Sequence, residues 1–184
     1  MLCLFVHLLP DSAQQILRYE NVAVSKGQWW RLLSAHFVHL GWVHFLLNAA
    51  AALLLSQLFE QYWHRTDVVF GSAFIGVVIC AALYFFYPSI AWYVGLSGIL
   101  HGLFAAAAIR MLIAKQKIAC LLLICLALKL VYEALSGATS NEELLGGQVI
   151  EEAHLWGSIA GLVYSGLIYT SRLVTTPRRN KERT

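Results

Sequence analysis

The chain is 184 residues long, the length of one domain. Hydrophobic residues make up 59% and charged residues 12%, with a mean hydropathy of +0.66, which excludes an ordinary soluble balance and makes lipid the bulk solvent. A net charge of +3 is too small to point to nucleic acid, so the placement of the charges matters more than their sum.

Residues 1–9 are apolar but far short of the roughly 20 residues that a spanning helix needs, and Pro10-Asp11 end the run. No basic region or small-residue cleavage site marks a signal peptide, so the segment reads as the outer end of a first transmembrane helix, short or truncated. Residues 10–37 form a polar-mixed loop that contains Arg18, Glu20, Lys26 and the sequence Trp29-Trp30-Arg31. Tryptophan beside arginine suits the headgroup region, and the loop is expected to lie in the outer leaflet.

The second span is expected over residues 38–59 and the third over 68–87, where Pro88 stops it. The fourth covers 98–114, and the fifth covers 118–131 with Lys129 and Glu133 near its end. A polar loop at 134–148 holds Glu142 and Glu143, the sixth span covers 149–173, and residues 174–184 form a basic cytoplasmic tail. The expectation is a single all-α membrane domain over residues 1–184, a six-transmembrane-helix bundle with a short first helix. Cys3, Cys80, Cys120 and Cys125 lie in apolar stretches without CxxC spacing, and read as small buried apolar residues.

Charge sets the orientation. With both termini cytoplasmic, the inner side collects Arg65, Arg110, Lys115, Lys117, Arg172, Arg178, Arg179, Lys181 and Arg183, whereas the outer loops hold only Arg18, Lys26 and Arg31. That is the positive-inside pattern.

The chemistry concentrates in Gly95-Leu96-Ser97-Gly98-Ile99-Leu100-His101-Gly102, where a hydroxyl and an imidazole stand one helical turn apart. A serine hydroxyl needs a neighbouring base to become a nucleophile. Gly98 and Gly102 share a helix face, and so do Gly157 and Gly161 just after His154; two such faces can pack closely and bring Ser97 to His154. His44 and Asn48, four apart on the second span, reach the same depth and can donate hydrogen bonds to a developing oxyanion. Each polar group alone suits a structural role, but four at one depth argue for one site. His39 and His36 lie beside this face and are expected to brace the Trp-rich loop by hydrogen bonds. His101 can act as a second base, a structural donor or a stacking partner, and stacking on His154 is favoured. Glu151 and Glu152 fall at the solvent edge, so no carboxylate is evidently placed to orient His154, and a Ser–His dyad is expected.

These residues resemble the rhomboid family of intramembrane serine proteases: Trp30-Arg31, His39, His44-Phe45-Leu46-Leu47-Asn48, Gly95-Leu96-Ser97-Gly98, and Ala153-His154-Leu155-Trp156-Gly157 followed by Gly161. The resemblance implies Ser97 as nucleophile, His154 as general base, and His44, Asn48 and the Ser97 amide as the oxyanion hole. It implies that Gly157 and Gly161 let the fourth and sixth helices touch. More narrowly, Gly27-Gln28-Trp29-Trp30-Arg31-Leu32-Leu33, the absence of a soluble domain, and His101 where many rhomboids carry an aromatic residue look like the rhombosortase branch. That branch processes proteins with C-terminal Gly-Gly sorting segments.

The function so implied is cleavage of membrane-anchored proteins near the outer face of a bacterial inner membrane, with the site facing the periplasm. No cofactor is called for, and release could go to water or to an amine. Two alternatives belong to other classes: a catalytically inactive rhomboid-like protein that binds transmembrane clients, and a metalloenzyme built on His36, His39 and His44. The latter lacks an HExxH motif.

Overall fold

The computed structural model describes residues 1–136 and 142–175, with side chains to residue 168. The basic tail beyond residue 175, the side chain of Arg172 and the loop residues 137–141 lie outside the described residues. Four short helices open the chain: α1 (Leu2–His7), α2 (Asp11–Leu17), α3 (Asn21–Ser25) and α4 (Arg31–Ser34), with a 3-10 turn at Ala35–Phe37. The long helices are α5 (Trp42–Phe59), α6 (Arg65–Phe86), α7 (Ser97–Ile113), α8 (Ile118–Ser136) and α10 (Glu152–Thr175), with the one-turn α9 (Glu142–Leu145) before the last. An antiparallel ribbon unforeseen in an all-α reading pairs β1 (Tyr19–Glu20) with β2 (Trp92–Tyr93), Tyr19 opposite Tyr93.

Local chemistry explains the ends. The alanine- and leucine-rich run of α5 favours helix along its length. Pro88 pushes Tyr87 out of the helical region, to φ −132° and ψ 59°, and so terminates α6. After α7, Lys115 turns left-handed at φ 61°, and the Lys115 and Gln116 amides donate to the carbonyls of Leu112 and Met111.

Helix α7 is the axis of the bundle. Ala105, Ala106, Ala107 and Ala108 are all fully buried, and four consecutive positions cover every azimuth, so the helix is surrounded by protein. Helix α10 lies along it most extensively, α6 backs both, and α5 and α8 flank it. The main core joins Ile75, Ile79 and Leu83 of α6 to Ile99 of α7 and Ala153 and Ala160 of α10, beneath Tyr19 and Tyr93 of the ribbon. A second cluster, Phe59, Ala107, Met111 and Ala119, fills the opposite end. There Arg110 donates to Asp67 at 2.9 Å and to the Tyr62 carbonyl, and lies over the Trp63 ring. A charge assigned from sequence to an inner loop is therefore neutralised inside the bundle.

The chain is a multi-pass membrane protein. Three stretches, Trp42–Tyr62, Arg65–Phe86 and Ile118–Ser136, are long and apolar enough to cross a bilayer, and α7 is a shorter apolar helix. The expected number of six is not reached by length and composition among the described residues. Helix α1 has six residues, and Glu152, His154, Ser158 and Ser165 dilute the apolar character of α10. Leu121, Ile124, Leu128, Val131 and Leu135 form an exposed stripe on α8, a face suited to lipid. Cys120 and Cys125 are exposed on that helix, whereas Cys80 is buried. The expectation of four buried cysteines is corrected for these two, because lipid supplies apolar surroundings outside the bundle too.

Boundaries shift in ways that bear on the site. The second span begins at Trp42, since Val38 is extended, so His39 stands before it. Ser97 is itself the first residue of its helix, and the fifth helix continues to Ser136, which places Glu133 inside it.

The loop ahead of α5 is held by a buried arginine. Arg31 donates to the carbonyls of Gln15 (2.8 Å) and Arg18 (2.6 Å) and to Gln28 Oε1 (2.7 Å), while Trp30 Nε1 donates to the Ile16 carbonyl. His36 is fully buried, with Nε2 3.1 Å from the Gly76 carbonyl and Nδ1 3.4 Å from that of Gly95. Burial pushes its pKa below the ordinary value. His36 thus ties loop to bundle, but His39 does not brace by hydrogen bonds. Both His39 ring nitrogens are buried without a hydrogen-bond partner among the described residues, and the ring meets His44 and Phe45 edge-on at 5.3 and 5.5 Å.

Candidate active site

Two glycine faces bring the serine and the histidine together. A Cβ at Gly98 would come within 2.8 Å of the Ala153 carbonyl oxygen, and one at Gly102 within 2.5 Å of that of Gly157. At Gly157 and Gly161 it would overlap the carbonyl oxygens of Gly98 and Gly102. Any larger residue would hold α7 and α10 apart. Across this contact Ser97 Oγ lies 2.9 Å from His154 Nε2.

A carboxylate completes the row. His154 Nδ1 is 3.0 Å from Glu133 Oε1 of α8, and the same oxygen receives the Lys129 ammonium one turn earlier. Sequence reasoning missed this partner: it set Glu151 and Glu152 at the solvent edge and expected a dyad. Glu151 lines the site, but its Oε1 has no hydrogen-bond partner among the described residues. The available signal was the pair Lys129 and Glu133, four apart in an otherwise apolar run, because ionisable groups inside a span ask for a partner.

His101 lies flat on His154, with ring centroids 4.2 Å apart and planes at 14°. Its Nδ1 is 2.7 Å from the Ser97 carbonyl oxygen, so this nitrogen carries the proton and donates. The imidazole of His154 is thus held at both nitrogens and on one face.

The remaining polar groups converge from α5. The Leu40 amide donates to His44 Nδ1 at 3.3 Å, so in the neutral ring the proton sits on Nε2. That nitrogen is buried without a partner among the described residues. It faces Gly95, where an added Cβ would lie 3.2 Å from His44 Nε2 and 3.8 Å from Ser97 Oγ. Gly95 has φ +124°, and its missing side chain leaves this corner open. Asn48 donates one amide hydrogen to the His44 carbonyl at 2.9 Å within its own helix.

Ser97, His154, Glu133, His44, Asn48 and His101 all border one cavity of about 280 Å³. Leu145 and Val149 border it too, and the Gly146 and Gly147 amides both donate to the Glu142 carbonyl, which folds the α9 loop against Leu40 and Gly41. Trp30, Arg31 and His39 stand outside this lining: Trp30 and Arg31 tie down the loop, and His39 packs edge-on against His44 and Phe45. Among the described residues, the group with metal-ligand geometry is His101, Glu133 and His154, whose ligand atoms lie within 4.8 Å of one another. It does not include His36, His39 or His44. The atoms of the Glu133–His154 contact are already engaged with each other, and the Lys129 ammonium opposes a cation there.

Comparison with known proteins agrees in kind. The profile of the rhomboid domain family matches residues 26–171. A protein of Bacillus subtilis (strain 168) named "Putative rhomboid protease YdcA" is 30% identical over 84 residues, which span 46% of this chain and 42% of that relative. The aligned stretch therefore covers less than half of either protein.

Proposed function

Because the chain belongs to the rhomboid family, we propose that it is an intramembrane serine endopeptidase that cleaves membrane-anchored proteins near the outer face. The observation that carries this reading is the 2.9 Å contact between Ser97 Oγ and His154 Nε2. His154 takes the Ser97 proton as Oγ attacks the scissile carbonyl. The protonated Nε2 then gives that proton to the leaving amine, and a water or an amine releases the acyl group from Ser97. The His44 Nε2–H and the Ser97 amide are the oxyanion donors, and Asn48 adds its second amide hydrogen.

The substrate segment has to present an unwound backbone to Ser97. The cavity of about 280 Å³ lies just below the range usual for small-molecule sites, about 300 to 1,000 Å³. Glycine lowers the cost of unwinding. This supports a C-terminal Gly-Gly sorting segment as substrate, the rhombosortase assignment to which His101 and residues 27–33 also point. The positive-inside charge pattern supports an inner-membrane location with the site toward the periplasm.

The test is cleavage of a membrane-anchored Gly-Gly substrate in proteoliposomes by the parent protein and by Ser97→Ala. The parent cleaves and labels with a fluorophosphonate, and the variant does neither; full activity in Ser97→Ala removes the reading. An inactive client-binding protein would leave Ser97 unlabelled. The mass of the new C-terminus distinguishes hydrolysis from transfer to an amine.

A further inference from the structure

We propose that Glu133 is a positioning residue that converts the expected dyad into a Ser97–His154–Glu133 triad, an inference that rests on the serine-protease reading. Glu133 sits on α8, which packs chiefly against α7, yet its side chain is only 13% exposed and crosses to α10 to meet His154. A charge placed in a span is costly unless it is paired. Here Lys129 supplies the countercharge on the same helix. A helix-surface ion pair would account for Lys129 and Glu133 alone, but not for the 3.0 Å contact to His154 Nδ1.

The consequence is a defined tautomer. An ionised carboxylate only accepts, so His154 Nδ1 carries the hydrogen and donates it. The lone pair is then on Nε2, 2.9 Å from the Ser97 hydroxyl, which is the form a general base must have. When Oγ bonds to the scissile carbonyl carbon, its proton moves to Nε2 and the ring becomes an imidazolium. Glu133 takes no proton; it stabilises the positive ring through the retained Nδ1–H. On collapse, the Nε2 proton leaves with the amine and the neutral tautomer returns. His101, stacked on the ring, and Glu133, on its edge, fix two independent directions, so the imidazole cannot flip without breaking one contact.

The experiment compares the full chain with Glu133→Gln, Glu133→Asp, Glu133→Ala and Ser97→Ala in proteoliposomes. It measures kcat and KM on the membrane-anchored Gly-Gly substrate, and the thermal midpoint. Glu133→Gln is expected to lower kcat by roughly 10²- to 10⁴-fold while KM stays within about twofold, as when a triad carboxylate becomes an amide and the wrong tautomer is favoured. Glu133→Asp should retain more kcat than Glu133→Gln, and added formate should partly restore Glu133→Ala. Either of two results overturns the triad: Glu133→Gln keeps kcat within about threefold of the parent, or its loss follows a fall in thermal midpoint and formate restores nothing in Glu133→Ala. A Glu133→Gln enzyme at full rate beside a dead Ser97→Ala leaves the protease reading intact and sinks only the triad. An active Ser97→Ala sinks both.

Discussion

The backbone of Gly157 rests directly on the carbonyl of Gly98, with no room for a side chain between them. This contact, repeated one turn on at Gly161 and Gly102, sets the separation of α7 and α10 and therefore the distance from Ser97 to His154. Site geometry and bundle packing share one determinant, so both respond to the same substitutions.

Gly157→Ala should wedge the two helices apart. A methyl group forced into a packed helix contact costs about 1–3 kcal/mol, and any widening lengthens the 2.9 Å Ser97–His154 contact. Cleavage is expected to fall by more than about tenfold, with a lower thermal midpoint. Gly166→Ala is the control: among the described residues a Cβ there meets nothing within 4 Å, and stability should hold or rise by up to about 1 kcal/mol. Paired melting curves and cleavage rates would check both.

Gly95→Ala probes the His44 corner separately. Its φ of +124° is strained for any other residue, at a cost of about 1–3 kcal/mol, and the new Cβ would press to 2.9 Å from His44 Cε1. In the proposed mechanism His44 is an oxyanion donor, so displacing it should lower kcat by about 10²- to 10³-fold with KM little changed. Equal activity in the variant would show that His44 does not act on the oxyanion.

Arg31→Lys should loosen the loop ahead of α5. Arg31 is 6% exposed and makes three hydrogen bonds to Gln15, Arg18 and Gln28. A lysine ammonium cannot reproduce that fork, and hydrogen bonds to charged groups contribute about 1.5–3 kcal/mol. A thermal midpoint several degrees lower, with protease nicking inside residues 18–31, is the expected outcome.

Acid should destabilise the same region. His36 and His39 both lie outside the membrane-spanning helices, and burial pushes each below the ordinary 6.5, His39 to about 4. Between those values the unfolded chain binds protons that the folded one excludes, so stability rises with pH across the window and is lost on acidification. Above pH 6.5 both states are neutral at these rings and the contribution is flat. The thermal midpoint should therefore fall from about pH 7 to about pH 5, and His39→Phe, which keeps the ring contacts, should reduce the slope.

Much of the candidate site's geometry was legible in the chain because it depends on spacing along single helices. Ser97 with Gly98 and Gly102, His154 with Gly157 and Gly161, and His44 with Asn48 each share a face by helical geometry alone, and the complementary notches imply their contact. Membrane character and multiple crossings followed from composition, since apolar runs of such length have no other solvent. The tertiary structure alone decided what depends on relative rotation and tilt. It turned Glu133 of α8 onto His154, 21 residues away in sequence, and left Cys120 and Cys125 on an outer face. It chose His36 over His39 as the ring that joins loop to bundle. Periodicity tells which residues share a helix face, but helix-to-helix packing tells what that face meets, and only the second can place a carboxylate beside an imidazole.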